Sequence, residues 1–302
     1  MRSMISIITA TYNRVNLLER VYASLLRQTN QFFEWIIVDD GSVDKTSELV
    51  ASWLVNKAID IKYIYKENGG KHTALNVGIA EASGELVLIL DSDDYLSDNA
   101  VHVILQEWRV VKHNSEIGGL HFLKAYQATG NCIGRRFLKN REVASSIKVH
   151  YKDNVTGDKC KIYRTEILKN NQFPCFDGER VLGEGIVWNR LGRTYKLYNI
   201  NLIIMFCEYL QDGITFNKKR FSIENIQGSA ACANERVYPC FPLLVRFRSM
   251  ATYISRKIYI DPWYVVISKS NCRWLCVMIF PVGLILHFYL RYRNSRPPRK
   301  PA

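Results

Sequence analysis

Three aspartates stand close together where an apolar run ends in the first third of the chain. Leu86 to Leu90 has the length and branching of a buried strand, and Asp91, Asp93 and Asp94 follow it directly. Asp91 and Asp93 are two positions apart, so their side chains point the same way along an extended chain end. Carboxylates this close repel one another unless a cation lies among them. The segment therefore predicts a metal site; the alternative is a solvated loop with an Asx turn.

A second acidic pair, Asp39 and Asp40, follows another apolar run, Phe33 to Val38. A carboxylate accepts a hydrogen bond from a uracil or guanine N–H, whereas an adenine edge suits an amide better. We expect the pair to bind such a base. The alternative is that Asp40-Gly41-Ser42 caps the following helix, and the two roles can coexist.

A glycine-containing segment, Lys66 to Gly78, lies between the two acidic runs. Its glycines permit close approach of the backbone, and Lys71 and His72 then stand near a helix N-terminus, which favours an anion. The segment has no Walker motif, so it supports phosphate binding only if a metal site lies beside it. His72 can equally be an exposed residue at the start of the helix.

Strands and helices alternate four times along residues 4–112. We expect strands at Met4–Ala10, Phe33–Val38, Ile59–Tyr65 and Leu86–Leu90, and helices at 15–28, 44–56, 72–82 and 98–112. This order predicts an α/β fold with a mixed, mainly parallel sheet covered by helices on both faces. Ligands of such sheets bind beyond the carboxyl ends of the strands. The loops 9–14, 39–44 and 91–94 should therefore lie together.

The second half of the chain is less regular. Strands are expected at Ile117–Tyr126, Ile133–Phe137, Lys159–Tyr163 and 196–206, with a helix beginning at Glu184. We expect one domain over residues 1–215, in which 1–112 bind the donor and 113–215 the acceptor. Residues 216–302 form a helical, basic extension.

The extension contains two segments suited to a membrane surface. Leu243, Phe247, Met250, Ile254 and Ile258 recur at helical spacing, with arginines and a lysine between them. Residues 274–290 then carry no formal charge, and basic residues follow. Such an apolar run is slightly too short for a transmembrane helix. It predicts an interfacial or re-entrant segment; the alternative is a buried terminal helix.

The charge and the cysteines restrict the function classes. The net charge of +13 predicts anionic partners, but no nucleic-acid-binding motif is recognisable. The eight cysteines have no zinc-binding spacing, which favours reduced, mostly buried thiols in a cytosolic protein. The N-terminus has no signal-peptide layout.

Together, the clustered acids and the basic surface predict a diphosphate ligand held through Mg²⁺ or Mn²⁺. We expect Asp93 to be the first metal ligand. Asp91 would contribute directly or through ribose hydroxyls, and Asp94 would orient both. The metal would offset the negative charge of a departing diphosphate.

Four motifs, in order and spacing, resemble those of the family 2 glycosyltransferases of GT-A fold. They are Ile7-Ile8-Thr9-Ala10-Thr11-Tyr12-Asn13-Arg14, Val38-Asp39-Asp40-Gly41-Ser42-x-Asp44-x-Thr46, Asn68-Gly69-Gly70-Lys71-x6-Gly78 and Asp91-Ser92-Asp93-Asp94. The resemblance is specific over residues 4–100 and weaker to about residue 215. It implies a nucleotide-sugar donor, a divalent metal, and inversion at the anomeric carbon. The implied donor-binding residues are Thr9, Ala10, Tyr12, Arg14, Asp39, Asp40, Lys71, Asp91 and Ser92, with Asp93 and Asp91 as metal ligands.

Inversion requires a general base on the face opposite the leaving group. The family places an acid for this at the start of a helix in the second half, which makes Glu184 our choice. Asp177 and Glu179 remain alternatives, because Gly185 stands where the family's common Glu-Asp pair has its Asp. The Gln-x-x-Arg-Trp signature of processive synthases is also absent: Cys272-Arg273-Trp274 lacks the Gln, so we expect single additions.

Three hypotheses follow. The first is an inverting, metal-dependent transfer of one sugar, from a UDP-linked donor to a glycan or lipid-linked saccharide in surface polysaccharide synthesis. The enzyme would be cytoplasmic, at the inner face of the cell membrane and on its anionic surface. The second is direct transfer to a polyprenyl phosphate, and the third a non-catalytic, membrane-peripheral nucleotide-binding module. A nucleotidyltransferase would need a glycine-rich loop after the first strand, and residues 9–14 contain no glycine.

Overall fold

The computed structural model describes residues 4–208 and 224–294. These residues form two compact units. The first contains residues 4–175 and 191–208, and the second contains residues 176–190 and 224–294.

The segment 176–190 differs from the predicted division, which placed it in the first domain. Its backbone and side chains bond to the start of a helix in the second unit. Glu179 accepts N–H bonds from Gln227 and Gly228 at 2.6 and 2.7 Å, and Val181 donates its N–H to Asn225. These bonds explain why the segment belongs with the second unit.

A nine-stranded sheet forms the centre of the first unit. Its strands are β1 (Ile5–Thr11), β2 (Phe33–Asp39), β3 (Ile61–Tyr65), β4 (Leu86–Ile89), β5 (Asp94–Leu96), β6 (Ile117–Tyr126), β7 (Glu142–Ala144), β8 (Lys159–Arg164) and β9 (Lys196–Cys207). Their order is β3-β2-β1-β4-β8-β6-β9-β5, and β7 pairs with β9. Pairing is parallel among β1–β4 and between β6 and β9, while β8, β5 and β7 run antiparallel to their partners. The predicted mixed sheet is confirmed, and its continuous parallel part carries the three predicted loops.

Helices cover both faces of this sheet, as predicted. They are α1 (Val15–Leu26), α2 (Thr46–Asn56), α3 (Lys71–Glu81), α4 (Ala100–Val111), α5 (Thr165–Lys169) and α6 (Gly185–Thr194), whose last four residues belong to the first unit. Side chains alternate between the faces of a strand. Ile7 and Trp35 therefore join the core formed with α1, α2 and α4, whereas Ile8 and Val38 face α3. A Cβ on Gly78 would lie 2.5 Å from Ile8 Cγ2, so the glycine lets α3 approach the sheet closely.

The predicted strand Ile133–Phe137 is wrong. Its residues are irregular, and only the preceding Cys132 forms an isolated bridge, with Ala125. Gly134 adopts φ +67°, and a Cβ there would lie 2.2 Å from the Thr156 carbonyl oxygen, so the backbone packs against another loop and not in a ladder. The short strands β5 and β7 and a π-helical turn at Lys148–Lys152 were not predicted.

The second unit is helical in its described part. It contains α7 (Ile226–Asn234), α8 (Leu243–Lys257), α9 (Trp263–Ser268) and α10 (Arg273–Asn294) around a core of residues that includes Met250, Ile254, Val266 and Leu275. The predicted basic amphipathic helix is α8, and it lies largely inside this core. The predicted apolar segment lies in α10, which is long and apolar enough to cross a membrane.

All eight cysteines are free thiols in the described structure. Cys160, Cys207 and Cys276 are buried, whereas Cys175 and Cys240 are exposed. The expectation that most of the thiols are buried is therefore wrong.

Candidate active site

The three predicted loops meet at one edge of the sheet, because β2, β1 and β4 are parallel neighbours. Thr11 lies opposite Asp39 in the ladder, and the Asp40 N–H donates to the Thr11 carbonyl at 2.8 Å. On the other side, the Leu90 N–H donates to the Ile8 carbonyl at 2.9 Å, which places the start of loop 91–94 beside β1.

Hydrogen bonds join the loops after β1 and β2 into one scaffold. Asn13 adopts φ +51°, its N–H donates to Ser42 Oγ at 2.9 Å, and its side-chain oxygen accepts the Val43 N–H at 2.8 Å. Asp44 accepts N–H bonds from Val15, at the start of α1, and from Thr46, at the start of α2. Carboxylates favour helix N-termini, so Asp44 fixes where both helices begin.

The predicted base-binding residues differ in how far their side chains are exposed to solvent. Thr9 is fully buried, and its hydroxyl accepts the Trp35 indole N–H at 2.9 Å, so its side chain belongs to the core. Tyr12 is 47% exposed, whereas Asp39 is only 1% exposed. Ala10 and Arg14 are partly exposed on the same loop.

Asp39 is held by two donors. Its Oδ1 accepts the Ser42 N–H at 2.8 Å, and its Oδ2 accepts the Tyr63 hydroxyl at 2.7 Å. Burial and this hydrogen bond raise the pKa of Tyr63, which keeps the phenol neutral. Each carboxylate oxygen has two lone pairs, so Asp39 keeps acceptor capacity beyond these bonds.

Asp40 holds the glycine turn that precedes α3. Its Oδ1 accepts Lys66 Nζ at 2.6 Å and the Gly69 N–H at 3.0 Å, and its Oδ2 accepts the Gly70 N–H at 2.7 Å and Asn68 Nδ2 at 3.3 Å. The carboxylate is 3% exposed and has four protein donors. The anion at the start of α3 is therefore Asp40 itself. The structure gives it a positioning role, whereas the sequence analysis predicted a base contact or a cap on α2.

Lys71, the first residue of α3, pairs with Asp91. Its ammonium lies 2.6 Å from Asp91 Oδ1, and the two side chains are 30% and 34% exposed. Burial alone would raise the pKa of Asp91, but the charges of Lys71 and Lys124 outweigh it and lower this pKa. For Asp93, burial and the negative charge of Asp91 act together and raise the pKa. The two acids thus interact electrostatically, and at Asp93 the charges of Lys71 and Arg14 do not outweigh burial and Asp91.

Beside this pair lies an ion cluster that no sequence motif predicts, in which Lys124 and Asp94 are buried and Asp158 is half exposed. Lys124, on β6, places its ammonium 2.7 Å from Asp158 Oδ2 and 3.3 Å from Asp94 Oδ2. Burial raises the pKa of Asp94 to about 6 despite the Lys124 charge. Burial would lower the pKa of Lys124, but Asp158 and Asp94 hold it well above its usual range. No motif marks Lys124 or Asp158, because each is brought here only by the order of the strands.

Arg20, on α1, holds the backbone of the acidic loop and was also missed. Its guanidinium donates to the Asp93 carbonyl, to Gln127 Oε1 at 2.6 Å and to Glu208 Oε2 at 2.7 Å. The same group lies 5.6 Å from the centre of the Tyr95 ring. Arg20 therefore ties α1 to residues on both sides of Asp94.

The donor set suits a divalent cation that keeps open positions. Within residues 4–208 and 224–294, no group of three or more His, Cys, Asp or Glu side chains is arranged to hold a metal. Asp91 and Asp93 remain as two carboxylates two positions apart on one loop, and burial together with the charge of Asp91 raises the pKa of Asp93. Mg²⁺ is typically bound by one or two carboxylates together with substrate phosphates, so the residues fit such an ion.

The three candidate bases all lie in the second unit and have different surroundings. Glu184 directly precedes α6 and is partly exposed, and its carbonyl accepts N–H bonds from Val187 and Trp188 at 3.1 and 3.3 Å. Both carboxylate oxygens of Glu179 are engaged at the start of α7. Asp177 is exposed. Asp177 is therefore the most exposed of the three, and Glu179 is the one whose two carboxylate oxygens both hold backbone N–H groups.

Comparisons with known proteins agree with this geometry. The sequence model of Glycosyl transferase family 2 matches residues 6–170. An uncharacterized glycosyltransferase of Rickettsia conorii is 41% identical over 102 residues, which are 34% of this chain and 17% of the relative. The GalNAc(5)-diNAcBac-PP-undecaprenol beta-1,3-glucosyltransferase of Campylobacter jejuni is 26% identical over 232 residues, which are 72% of this chain and 68% of the relative. The chain thus spans only 14% to 36% of the first five curated relatives.

Solved structures share the fold at low identity. Residues 1–349 of S. aureus TarS in complex with UDP-GlcNAc superpose with a TM-score of 0.61 and 19% identity, covering 94% of this chain and 81% of that chain. The mannosyltransferase PcManGT from Pyrobaculum calidifontis, in complex with GDP-Man and Mn²⁺, gives a TM-score of 0.58 and 16% identity, covering 97% and 83%.

Proposed function

The chain belongs to glycosyltransferase family 2, and from this premise we propose that it transfers one sugar, with inversion, from a UDP-linked donor to a glycan or lipid-linked saccharide in surface polysaccharide synthesis. The observation that carries the proposal is the meeting of loops 9–14, 39–44 and 91–94 at one edge of the sheet, with Asp91 and Asp93 beside Lys71. A nucleotide diphosphate needs these parts: a base site, positive charge and carboxylates.

Donor binding is assigned to the exposed edge of these loops. Tyr12 offers a ring for the base, and Asp39 offers acceptor lone pairs for the uracil N–H. Arg14 and Lys71 supply positive charge for the phosphates, and Ala10, Asp91 and Ser92 line the ribose side. Asp40 and Thr9 support this site from behind through the bonds described above.

Asp93 and Asp91 would hold Mg²⁺ or Mn²⁺, and the bound ion would supply Lewis-acid stabilisation of the departing diphosphate. The solved mannosyltransferase neighbour contains Mn²⁺ with its donor, which supports this choice of ion for the present chain. Lys124 and Asp158 keep the charge behind the site balanced, and Arg20 fixes the carbonyl of Asp93.

The acceptor base is assigned to Glu184, with Asp177 as the alternative. A base must take the hydroxyl proton on the face opposite the diphosphate, and a partly exposed carboxylate at a helix start can do so. Glu179 is disfavoured because both its oxygens bond to α7.

The name of the Campylobacter relative specifies an undecaprenol-linked saccharide, and this supports a lipid-linked acceptor here. Such an acceptor agrees with an enzyme at the inner face of the cell membrane, on its anionic surface. Direct transfer to a polyprenyl phosphate is distinguished by supplying the bare lipid phosphate as the acceptor. Only that reaction gives a product when no saccharide acceptor is present.

The test is a screen of nucleotide-sugars with the full chain, with Mn²⁺ or a chelator, measuring release of nucleoside diphosphate. We expect preferential release of UDP, dependence on the metal, and a loss of about a hundredfold or more in Asp93→Ala. Asp98→Ala is the matched control, since Asp98 is an exposed acid nearby whose side chain pairs with Arg27 on the surface.

Two results would contradict the proposal. Full activity in chelator would show that the reaction does not need a metal ion at Asp91 and Asp93. If wild type and Asp93→Ala release nucleoside diphosphate at the same rate, the hypothesis of a non-catalytic nucleotide-binding module would be favoured.

A further inference from the structure

One face of α10 is apolar along nearly its whole length and is open to solvent. Its exposed large apolar side chains, each more than half exposed, are Trp274, Val277, Met278, Val282, Ile285, Phe288, Tyr289 and Tyr292. They recur every three or four residues, which forms a single stripe on an α-helix. Soluble monomers rarely expose continuous apolar surface of this extent, and such surfaces mark interaction sites.

The opposite face of α10 is packed on α8. Near its start, Leu275 and Cys276 are buried in the core shared with α8, and towards its end His287 Nδ1 lies 3.1 Å from the Ser255 carbonyl. The Trp274 ring, at the edge of the stripe, lies 5.9 Å from the Arg246 guanidinium. Between the two ends of the helix, a Cβ on Gly283 would come within 2.5 Å of an α8 side chain. Both helices advance in the same direction through these contacts, so α10 lies along α8 for most of its length.

The charges around the stripe suit an anionic surface. Residues 236–294 contain nine lysines and arginines and one acid, Asp261. That acid is already paired with Lys257 at 2.7 Å. Arg273 precedes the stripe, and Arg291 and Arg293 lie at its end, all exposed. Basic side chains beside an apolar helix face are typical of helices that lie in a membrane interface.

We propose that this stripe binds an anionic lipid bilayer with α10 lying in the plane of the membrane. A transmembrane orientation would draw α8 into the hydrocarbon with it, because the two helices are packed together. Arg246, Arg248 and Arg256 on α8 make that costly. In-plane binding buries the whole stripe at once and leaves the packed face of α10 on α8. The surface places the proposed transferase at a lipid boundary but does not depend on its chemistry.

Vesicle flotation of the full chain tests the binding. We expect flotation with vesicles of phosphatidylcholine and phosphatidylglycerol, and much less with phosphatidylcholine alone. The double variant Ile285→Glu with Phe288→Glu should lower the partition coefficient by about tenfold or more, because it replaces two apolar contacts with two negative charges. Val55→Glu, at an 81% exposed apolar residue on α2, is the matched control and should float like wild type.

Photo-crosslinking tests the orientation without altering the charge. A photoreactive residue at positions 278, 282, 285 or 289 should label lipid, and one at 275, 276 or 283 should label the protein itself. Lipid labelling at both sets would mean that α10 separates from α8 and inserts alone, which would overturn the in-plane inference. Labelling of a second copy at the stripe positions, or no flotation of wild type on anionic vesicles, would overturn lipid binding. Loss of donor hydrolysis in Asp93→Ala with no flotation of wild type would refute only this inference and leave the transferase proposal standing.

Discussion

Replacing Asp40 with Asn separates the positioning role of this acid from a role in base recognition. The Asn side chain keeps one acceptor oxygen, but its NH₂ group faces a backbone N–H of the glycine turn. Hydrogen bonds to a charged group are worth about 1.5–3 kcal/mol each, and Lys66 also loses its partly buried partner. We therefore expect Asp40→Asn to destabilise the turn by about 3 kcal/mol, or roughly a hundredfold in its opening equilibrium.

Amide hydrogen exchange at Gly69 and Gly70 measures this opening directly, and urea unfolding measures the effect on the whole unit. Asp98→Asn is the control, because Asp98 pairs with Arg27 on the surface, where such pairs contribute about 0.5 kcal/mol or less. Donor binding should weaken through Lys71, yet the preference for UDP over GDP should not change. An unchanged exchange rate together with an altered base preference would refute the positioning role.

Three further substitutions test the packing and charges around the site. Lys124→Met should cost about 3 kcal/mol in urea unfolding, because it leaves the buried Asp94 without its cation, whereas Asp158 is half exposed and can be hydrated. Gly119→Ala should cost about 3 kcal/mol or more, since its Cβ would lie 1.9 Å from the Ile162 carbonyl oxygen and force the backbone of β6 or β8 to move. Glu34→Gln should lower stability at pH 7 and flatten the acid limb of the stability curve. Burial alone would raise the pKa of Glu34, but its hydrogen bonds outweigh burial and hold this pKa below its ordinary value of 4.5. The stability that the Glu34 carboxylate contributes is therefore present above pH 4.5 and is lost as the pH falls through the lowered pKa.

The first two of these substitutions have a matched comparison. Lys124→Arg keeps the charge and should recover part of the loss. Gly185→Ala, where the nearest atom would be 3.9 Å from the new Cβ, should be nearly neutral in unfolding. If Lys124→Met is as stable as wild type, the ion cluster is not needed for stability. An acid limb that is identical in Glu34→Gln and wild type would assign the acid sensitivity to other groups.

The sequence predicts the fold of residues 4–112 well because their strands and helices have clean periodicities. Leu86 to Leu90 and Phe33 to Val38 are continuous apolar runs that end in acids, and parallel pairing then places their ends together. The second half is harder because its strands pair with partners far apart in the chain. β5 has only three residues, and Ile133 and Phe137 are buried without belonging to a strand.

The roles of individual site residues are only partly readable from motifs. Asp39 and Asp40 look equivalent in the sequence, yet Asp40 turns towards the glycine turn and Asp39 towards Tyr63. Arg20 and Lys124 carry no local signal, because their partners lie 73 and 34 positions away along the chain. Packing between residues far apart in the chain decides these contacts, so a short stretch of sequence cannot predict them.

The two exposed thiols give the molecule a built-in pair of labelling points. Cys175 ends the first stretch of one compact unit, and Cys240 lies in the other. With the partly exposed Cys132, Cys232 and Cys272 replaced, a fluorophore on each of the two exposed thiols would report changes in their separation by energy transfer. Titrating UDP-sugar or vesicles against such a labelled chain would show whether either one makes the halves move.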